Sequence, residues 1–229
     1  MMLKVLKEFK LNKKQNEQFE KYFEFLVLEN KKYNLTSITD KDEVYIKHFY
    51  DSLKVQDAYD LTTVNTFCDI GSGAGFPAIP IKILYPHLKI TIIEPTRKRC
   101  NFLTELVKLL ELEDVEIIND RSENIKEDLR DSFDIVTARA VASLPVLLEL
   151  TVPYVKVGGH FLALKGISYE DELTSAKGAV EKLKCDVDNI YNYELPNDLG
   201  SRVIIDFKKR EKTNPKYPRS YAVIKKKHL

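Results

Sequence analysis

The run Phe67-Cys68-Asp69-Ile70-Gly71-Ser72-Gly73-Ala74-Gly75-Phe76-Pro77 constrains the fold of this chain more than any other segment. An apolar stretch empties into a glycine-rich turn, and a second apolar stretch over 77–84 reads as the helix that follows. Three glycines at alternate positions let the backbone take positive φ and come close to a ligand, because no Cβ blocks either. Strand, glycine turn and helix in that order make a nucleotide-cofactor loop. The plainer reading of the same residues is a tight turn with no ligand.

Spacing narrows the nucleotide. Gly71, Gly73 and Phe76 or Pro77 do not satisfy the dinucleotide fingerprint G-x-G-x-x-G/A, and no Gly-Lys-Ser/Thr follows to hold a triphosphate. About 20 residues past the turn, the run 89–93 ends in Glu94, whose carboxylate can accept both hydroxyls of a ribose. A nucleoside cofactor without a pyrophosphate fits best, and S-adenosylmethionine (SAM) is of that kind.

Strand and helix alternate from residue 65 onward. Strands are expected at 65–70, 89–94, 115–118, 133–138 and 159–164, with helices near 76–84, 96–110, 122–129 and 143–153. This repetition implies a parallel sheet with right-handed crossovers. After a helix near 169–183, the runs 186–193 and 202–208 flank the turn-rich Pro196-Asn197-Asp198-Leu199-Gly200 and read as a closing antiparallel hairpin. Upstream, 17–28 places Phe19, Tyr22, Phe23, Phe25 and Leu26 near one helical face, and Asp40 with Glu43 caps a second helix through Leu53. The expected fold is therefore α/β: a helical extension over 1–60, a Rossmann-like domain over 61–208 and a basic tail over 209–229.

The chain of 229 residues, 44% hydrophobic and 31% charged, suits a soluble globular protein, and no apolar run approaches the roughly 18 residues of a membrane span. The Lys-rich stretch 1–21 lacks the apolar core and cleavage site of a secretory signal, so a cytoplasmic location and no membrane partner are expected. Cys68, Cys100 and Cys185 are too few and too scattered for a disulfide framework or a zinc site. We expect them reduced and packed, and we expect no metal. The net charge of +1 is unevenly placed: 208–229 carries nine Lys or Arg against Glu211 alone, hence +8, which leaves −7 for the remainder. Such an end reads as a solvated terminus or as a phosphate-binding patch. Tyr217 and Tyr221 among those charges favour nucleic acid, since aromatic rings stack on unpaired bases.

In parallel sheets ligands sit beyond the carboxyl ends of the strands. That rule predicts one cleft containing Asp69 to Phe76, Glu94, Asp120 to Glu123, Arg139 and Lys165. Ser122 and Glu123 follow the third strand, where backbone amides and a carboxylate can read an adenine edge; Ser122 also suits a helix cap. A cation at Arg139 repels a sulfonium, so it faces the methionine carboxylate or an RNA phosphate, or else forms a surface ion pair. His48 and Asp51, at i and i+3, share a helix face. They either point toward the target base or form a structural pair that docks the extension.

Taken in order, Asn34-Leu35-Thr36, His48-Phe49-Tyr50-Asp51-Ser52-Leu53, the Asp69 to Pro77 loop, Thr137-Ala138-Arg139-Ala140, Ala163-Leu164-Lys165 and Lys216-Tyr217-Pro218-Arg219 resemble the bacterial 16S rRNA guanine-N7 methyltransferase family, RsmG or GidB. The resemblance spans nearly the whole chain. It implies a class I SAM-dependent methyltransferase sheet behind a helical extension, acting on N7 of a guanosine in the decoding-region loop of 16S rRNA. The implied partner is that rRNA, free or in the small ribosomal subunit. It also implies SAM contacts at Gly71, Phe76, Ser122, Glu123 and Arg139, to which the loop reading adds Asp69, Gly73 and Glu94. Two departures stand out: Glu94-Pro95 where the family often has Asp-Ser, and Ser220-Tyr221-Ala222 where it is often rich in Gly and Pro.

Guanine N7 carries an in-plane lone pair and no hydrogen, so no general base is assigned. Arg139, Lys165, Lys216 and Arg219, with His48 and Asp51, are the candidates for RNA contact. Two other functions are compatible with the residues: a SAM methyltransferase of a small molecule or protein, and a non-catalytic RNA-binding module.

Overall fold

The computed structural model describes residues 4–124 and 126–229, so Met1 to Leu3 of the expected extension lie outside the described residues. Asn12 opens the first long helix, α1 (Lys13–Tyr33), through a capping box: its side chain accepts from Gln15 N, and the Gln15 side chain accepts from Asn12 N, both at 2.9 Å. Asn34 ends the helix in the left-handed region, at φ 51°. Phe19, Tyr22 and Leu26 form its buried stripe, and the helix extends beyond the expected 17–28 at both ends.

Asp40 caps α2 (Lys41–Val44) by accepting from Glu43 N. The expected second helix does not continue as one α-helix to Leu53. It passes through a π-helical turn, Tyr45–Tyr50, before the short α3 (Asp51–Leu53) and α4 (Val55–Ala58). Such turns widen the backbone and recur at functional sites; this one carries His48. Phe49 sits at the centre of an aromatic group, its ring 5.0 Å from both Phe19 and Tyr22 and 6.0 Å from Phe76, and the contacts with Phe76 dock the extension on the glycine turn.

The sheet domain runs β1 (Thr66–Ile70), α5 (Ala78–Leu84), β2 (Lys89–Ile93), α6 (Arg97–Leu109), β3 (Val115–Ile118), β4 (Phe133–Arg139), α7 (Leu144–Thr151), β5 (Val155–Gly166), α8 (Tyr169–Ser175), α9 (Lys177–Leu183), β6 (Cys185–Glu194) and β7 (Ser201–Lys209). The last helix, α10 (Tyr221–Lys226), follows. The seven strands lie in the order β3-β2-β1-β4-β5-β7-β6, parallel through β5, with β7 antiparallel to both its neighbours. A Rossmann-like sheet with a closing hairpin is thus what the chain forms. Phe67, Cys68 and Asp69 of central β1 are wholly buried because helices cover both faces of the sheet.

Three expected helices are corrected. The stretch 122–129 holds two 3-10 turns, Ser122–Asn124 and Glu127–Leu129, with Ile125 outside the described residues. Too few apolar positions recur there to bury a helical face. The helix expected over 169–183 breaks at Ala176 into α8 and α9, and that over 143–153 ends as the 3-10 turn Val152–Tyr154 at Pro153.

All three cysteines are buried and free. Among the described residues no helix is long and apolar enough to cross a membrane. The basic end packs back on the domain at Ile224, which is fully buried against Val146 and Leu150 of α7, while Arg210, Lys212, Lys216 and Lys225 to Lys227 are exposed. Strand order reverses between β1 and β4, and this switch point opens the crevice where ligands bind in such folds.

Candidate active site

At the switch point two clefts meet at Ala140, a residue held at φ 57° immediately after β4. The first, about 240 Å³, lies over the carboxyl ends of β1 to β4 and is lined by Gly71, Glu94, Ser122, Glu123, Val141 and Tyr221. The second, about 390 Å³, is lined by Lys47, His48, Asp51, Arg139, Lys165 and Tyr193. The single cleft expected from sequence is therefore divided. The turn after β4 causes the division, laying Val141 so close over Gly71 that a Cβ there would sit 2.7 Å from Val141 Cγ2.

In the first cleft the glycine turn is tied to β2. Glu94 Oε2 accepts from Gly73 N at 3.0 Å, and its Oε1 accepts from Thr96 N at 2.9 Å. A carboxylate has about four lone-pair sites, so Glu94 keeps capacity for a ribose diol while it holds the loop. Gly71 and Gly73 sit at φ 72° and 61°, a conformation glycine adopts without strain, and the space beside Gly73 is open. Ser122 is buried, its carbonyl accepting from Tyr154 Oη at 2.7 Å, and the Glu123 carboxylate pairs with Arg121 at 2.5 Å.

Beneath the loop, Asp69 is fully buried and accepts from Thr137 Oγ1 at 2.8 Å. Asp69 Oδ2 and Ser72 Oγ are buried without a hydrogen-bond partner among the described residues. Orphaned polar atoms below a glycine turn fit a ligand with polar groups of its own, as the amino and carboxylate groups of SAM provide. Burial pushes the Asp69 carboxyl up to about 7, against the pull of the neighbouring Ser72 hydroxyl, the Thr137 hydroxyl and the Arg139 charge.

A raised carboxyl pKa means that the folded chain binds more protons than the unfolded chain between about pH 4 and 7. The stabilisation is complete below the ordinary value of 3.8 and is lost as pH rises through about 7. Asp69→Asn cannot ionise. We expect it to flatten the pH dependence of stability by up to about 1.4 kcal/mol per pH unit in that window, measured by denaturant unfolding. Parallel profiles for the two proteins would show that Asp69 is already ionised when folded.

The second cleft is built from three distant segments. Arg139 donates from Nη1 to Asp51 Oδ2 at 2.9 Å and to Lys47 O at 3.2 Å, and its Nη2 lies 3.3 Å from His48 Nδ1. Asp51 also accepts from Tyr193 Oη at 2.7 Å, and Arg202 Nε stands 3.8 Å away. The His48 ring stacks on Phe76 at 4.5 Å, with Tyr22 also stacked on Phe76 at 5.4 Å and the Arg139 guanidinium 5.1 Å from that ring. Burial and the Arg139 charge push the His48 pKa down to about 3. The neutral ring shares a hydrogen bond with Thr36 through Nε2, 2.9 Å from Thr36 Oγ1, while Nδ1 lies beside the guanidinium and 3.2 Å from Lys47 O.

The sequence-derived candidates separate accordingly. Gly71, Glu94, Ser122 and Glu123 come together in the first cleft, with Asp69 and Gly73 in its floor. Phe76, His48, Asp51 and Arg139 come together around the second. Lys165 lines the second cleft, but its Nζ is held by Ala142 O at 3.0 Å and Glu172 at 2.7 Å, bracing the turn after β4. Lys216 and Arg219 lie in neither. Lys216 is exposed beside Tyr217, while Arg219 is a fork on the fully buried Glu149, donating from Nε at 2.8 Å and Nη2 at 2.7 Å.

Sequence reading missed Tyr193 and Arg202, which pair across β6 and β7 and reach Asp51 together. Nothing in their local pattern distinguishes them from other hairpin residues. One His/Asp group with ligand-like proximity, His160, Asp188 and Asp206, lies among the described residues at the far end of β5 and β7 from both clefts.

The sequence profile of a family described as GidB, rRNA small subunit methyltransferase G, matches residues 15–198. Two proteins named ribosomal RNA small subunit methyltransferase G are similar over nearly the whole chain. That of Bacillus cytotoxicus is 50% identical over 91% of this chain and 88% of its own length. That of Staphylococcus saprophyticus is 51% identical over the same shares. In fold, the chain is similar to M. jannaschii TYW2 in complex with AdoMet, with a TM-score of 0.54 and 20% identity over 69% of this chain and 76% of that one.

Proposed function

This chain belongs to the GidB family, rRNA small subunit methyltransferase G, and on that premise we propose that its two clefts divide one methyl transfer between a cofactor side and an RNA side. The transfer runs from SAM to N7 of a guanosine in the decoding-region loop of 16S rRNA, and the enzyme works in the cytoplasm on that rRNA or on the small ribosomal subunit. The meeting of the clefts at Ala140 carries the reading: a group held over Gly71 and Glu94 faces a base held beside His48 and Arg139 across one residue.

On the cofactor side, Glu94 and the amide-rich turn from Gly71 hold the nucleoside, the 3-10 turn at Ser122 and Glu123 meets the adenine edge, and Asp69 with Ser72 receives the amino-acid end. When bound, SAM supplies a methyl group activated by its positive sulfur. On the RNA side, the work is alignment, which can lower a barrier by roughly 7–11 kcal/mol when the reacting atoms are held in line. The titratable groups of the second cleft are already committed: Asp51 to Arg139 and Tyr193, and neutral His48 to Thr36 and Arg139. That commitment suits an N7 nucleophile, which loses no proton. With Asp51 and Glu172 already paired to Arg139 and Lys165, developing positive charge on the guanine is left to the RNA's own phosphates.

The test is to incubate the protein with labelled SAM and unmodified small subunits or their rRNA, and to map the label. Methylation at N7 leaves a fixed charge on the imidazole ring and weakens the glycosidic bond, so borohydride followed by aniline is expected to cut the product at one guanosine. Methyl found on another atom by mass spectrometry overturns the assignment. Label entering peptides or free nucleosides but not rRNA instead supports a methyltransferase of another substrate class.

A further inference from the structure

We propose that the segment after β7 folds back to build one wall of the cofactor cleft, and that Tyr221 is a cofactor-positioning residue. The inference rests on reading the 240 Å³ cleft as the SAM site. It assigns the basic end a role that its charge alone does not suggest.

Three contacts carry it. Arg219 grips Glu149 through its side-chain fork and through its own backbone N–H, which donates to Glu149 Oε1 at 2.9 Å. Because Glu149 is fully buried in α7, this pair fixes the point at which the segment crosses the domain. One turn further on, Ile224 is fully buried with Val146 and Leu150, and Leu150 itself lines the cleft. Between these two anchors Tyr221 lines the same cleft as Gly71 and Glu94.

The Tyr221 ring is oriented by the Arg121 guanidinium, 4.7 Å from its centroid. Arg121 in turn pairs with Glu123, whose carboxylate lines the same cleft. A continuous path therefore runs from the segment to the groups expected to meet adenine. An aromatic face at the rim of a nucleoside cleft supplies the stacking and water exclusion that a glycine loop and a carboxylate cannot. Both cationic side chains of α10, Lys225 and Lys226, are exposed, so the ring and the charges serve different faces.

The test uses the full chain and reads SAM affinity by calorimetry. Tyr221→Ala is expected to weaken SAM binding about tenfold, in keeping with the loss of one aromatic contact, with rRNA affinity at fixed salt unchanged. Tyr221→Phe keeps the ring and is expected to restore wild-type affinity. Val223→Ala, on the exposed face of the same helix, is expected to change nothing. Since Tyr221 is only partly buried, folding is expected to survive each change, as thermal unfolding will verify. Wild-type SAM affinity in Tyr221→Ala overturns the proposal, as does a loss that Tyr221→Phe fails to restore. Failure of the underlying site reading is distinct: there, Gly71→Arg also binds SAM normally.

Discussion

Gly71→Arg is expected to abolish SAM binding while leaving the protein folded. Gly71 sits at φ 72°, where a side chain costs roughly 1–2 kcal/mol. Its Cβ would meet Val141 Cγ2 at 2.7 Å, but Val141 is partly exposed on a turn and can move aside, so the fold absorbs the change. The cleft cannot absorb it. The guanidinium and its stem enter the approximately 240 Å³ that lies between Gly71, Glu94 and Tyr221, and they bring a positive charge toward a positive sulfonium. We expect calorimetry to show a loss of affinity beyond about 100-fold, some 2.7 kcal/mol or more, with thermal unfolding still cooperative. Affinity within a few-fold of wild type would remove the glycine loop from the cofactor site.

Arg139→Ala is expected to destabilise the fold more than any other single change at the site. The side chain ties the sheet to the extension through Asp51, Lys47 O and His48, and Asp51 is almost wholly buried, at 4% side-chain exposure. Removing one partner of a buried pair leaves an uncompensated charge, at a cost of about 3–5 kcal/mol. The lower part of that range is expected here, because Tyr193 still donates to Asp51 and Arg202 stands 3.8 Å away. A double-mutant cycle with Asp51→Ala, read by denaturant unfolding at neutral pH, is expected to show a coupling above roughly 2 kcal/mol, in the upper part of the range for contacting residues. Additive effects would mean that the ion pair contributes little and that Arg139 is kept for its ligand contacts alone.

The features legible in the sequence are the ones that local chemistry dictates. Glycines at positions 71 and 73 take positive φ without strain, Glu94 is the carboxylate that follows the second strand, and the apolar run of β1 reads as a strand buried on both faces. The alternation of strand and crossover helix likewise sets the parallel sheet and its hairpin, since each element's period and its Gly or Pro boundaries lie within a dozen residues. Short-range reading weakens where packing outweighs propensity, as in the 3-10 turns around Ser122 and the π-helical turn that aims His48.

Tertiary structure alone decided which charges are spent and which face a ligand. Arg219, read from its basic neighbourhood as an RNA contact, is spent on Glu149, 70 residues away. Lys209, first residue of the expected tail, lies buried at the end of β7, pairing with Asp131 and donating to Val155 O at 2.7 Å. Asp51 meets Tyr193 across 142 residues and Arg139 across 88, and neither distance leaves a periodic trace along the chain. The loop and the sheet follow from backbone sterics and hydrophobic periodicity, which act between near neighbours. The partition into two clefts, and the last helix closing one of them, follow from side-chain pairings that exist only after the chain has collapsed.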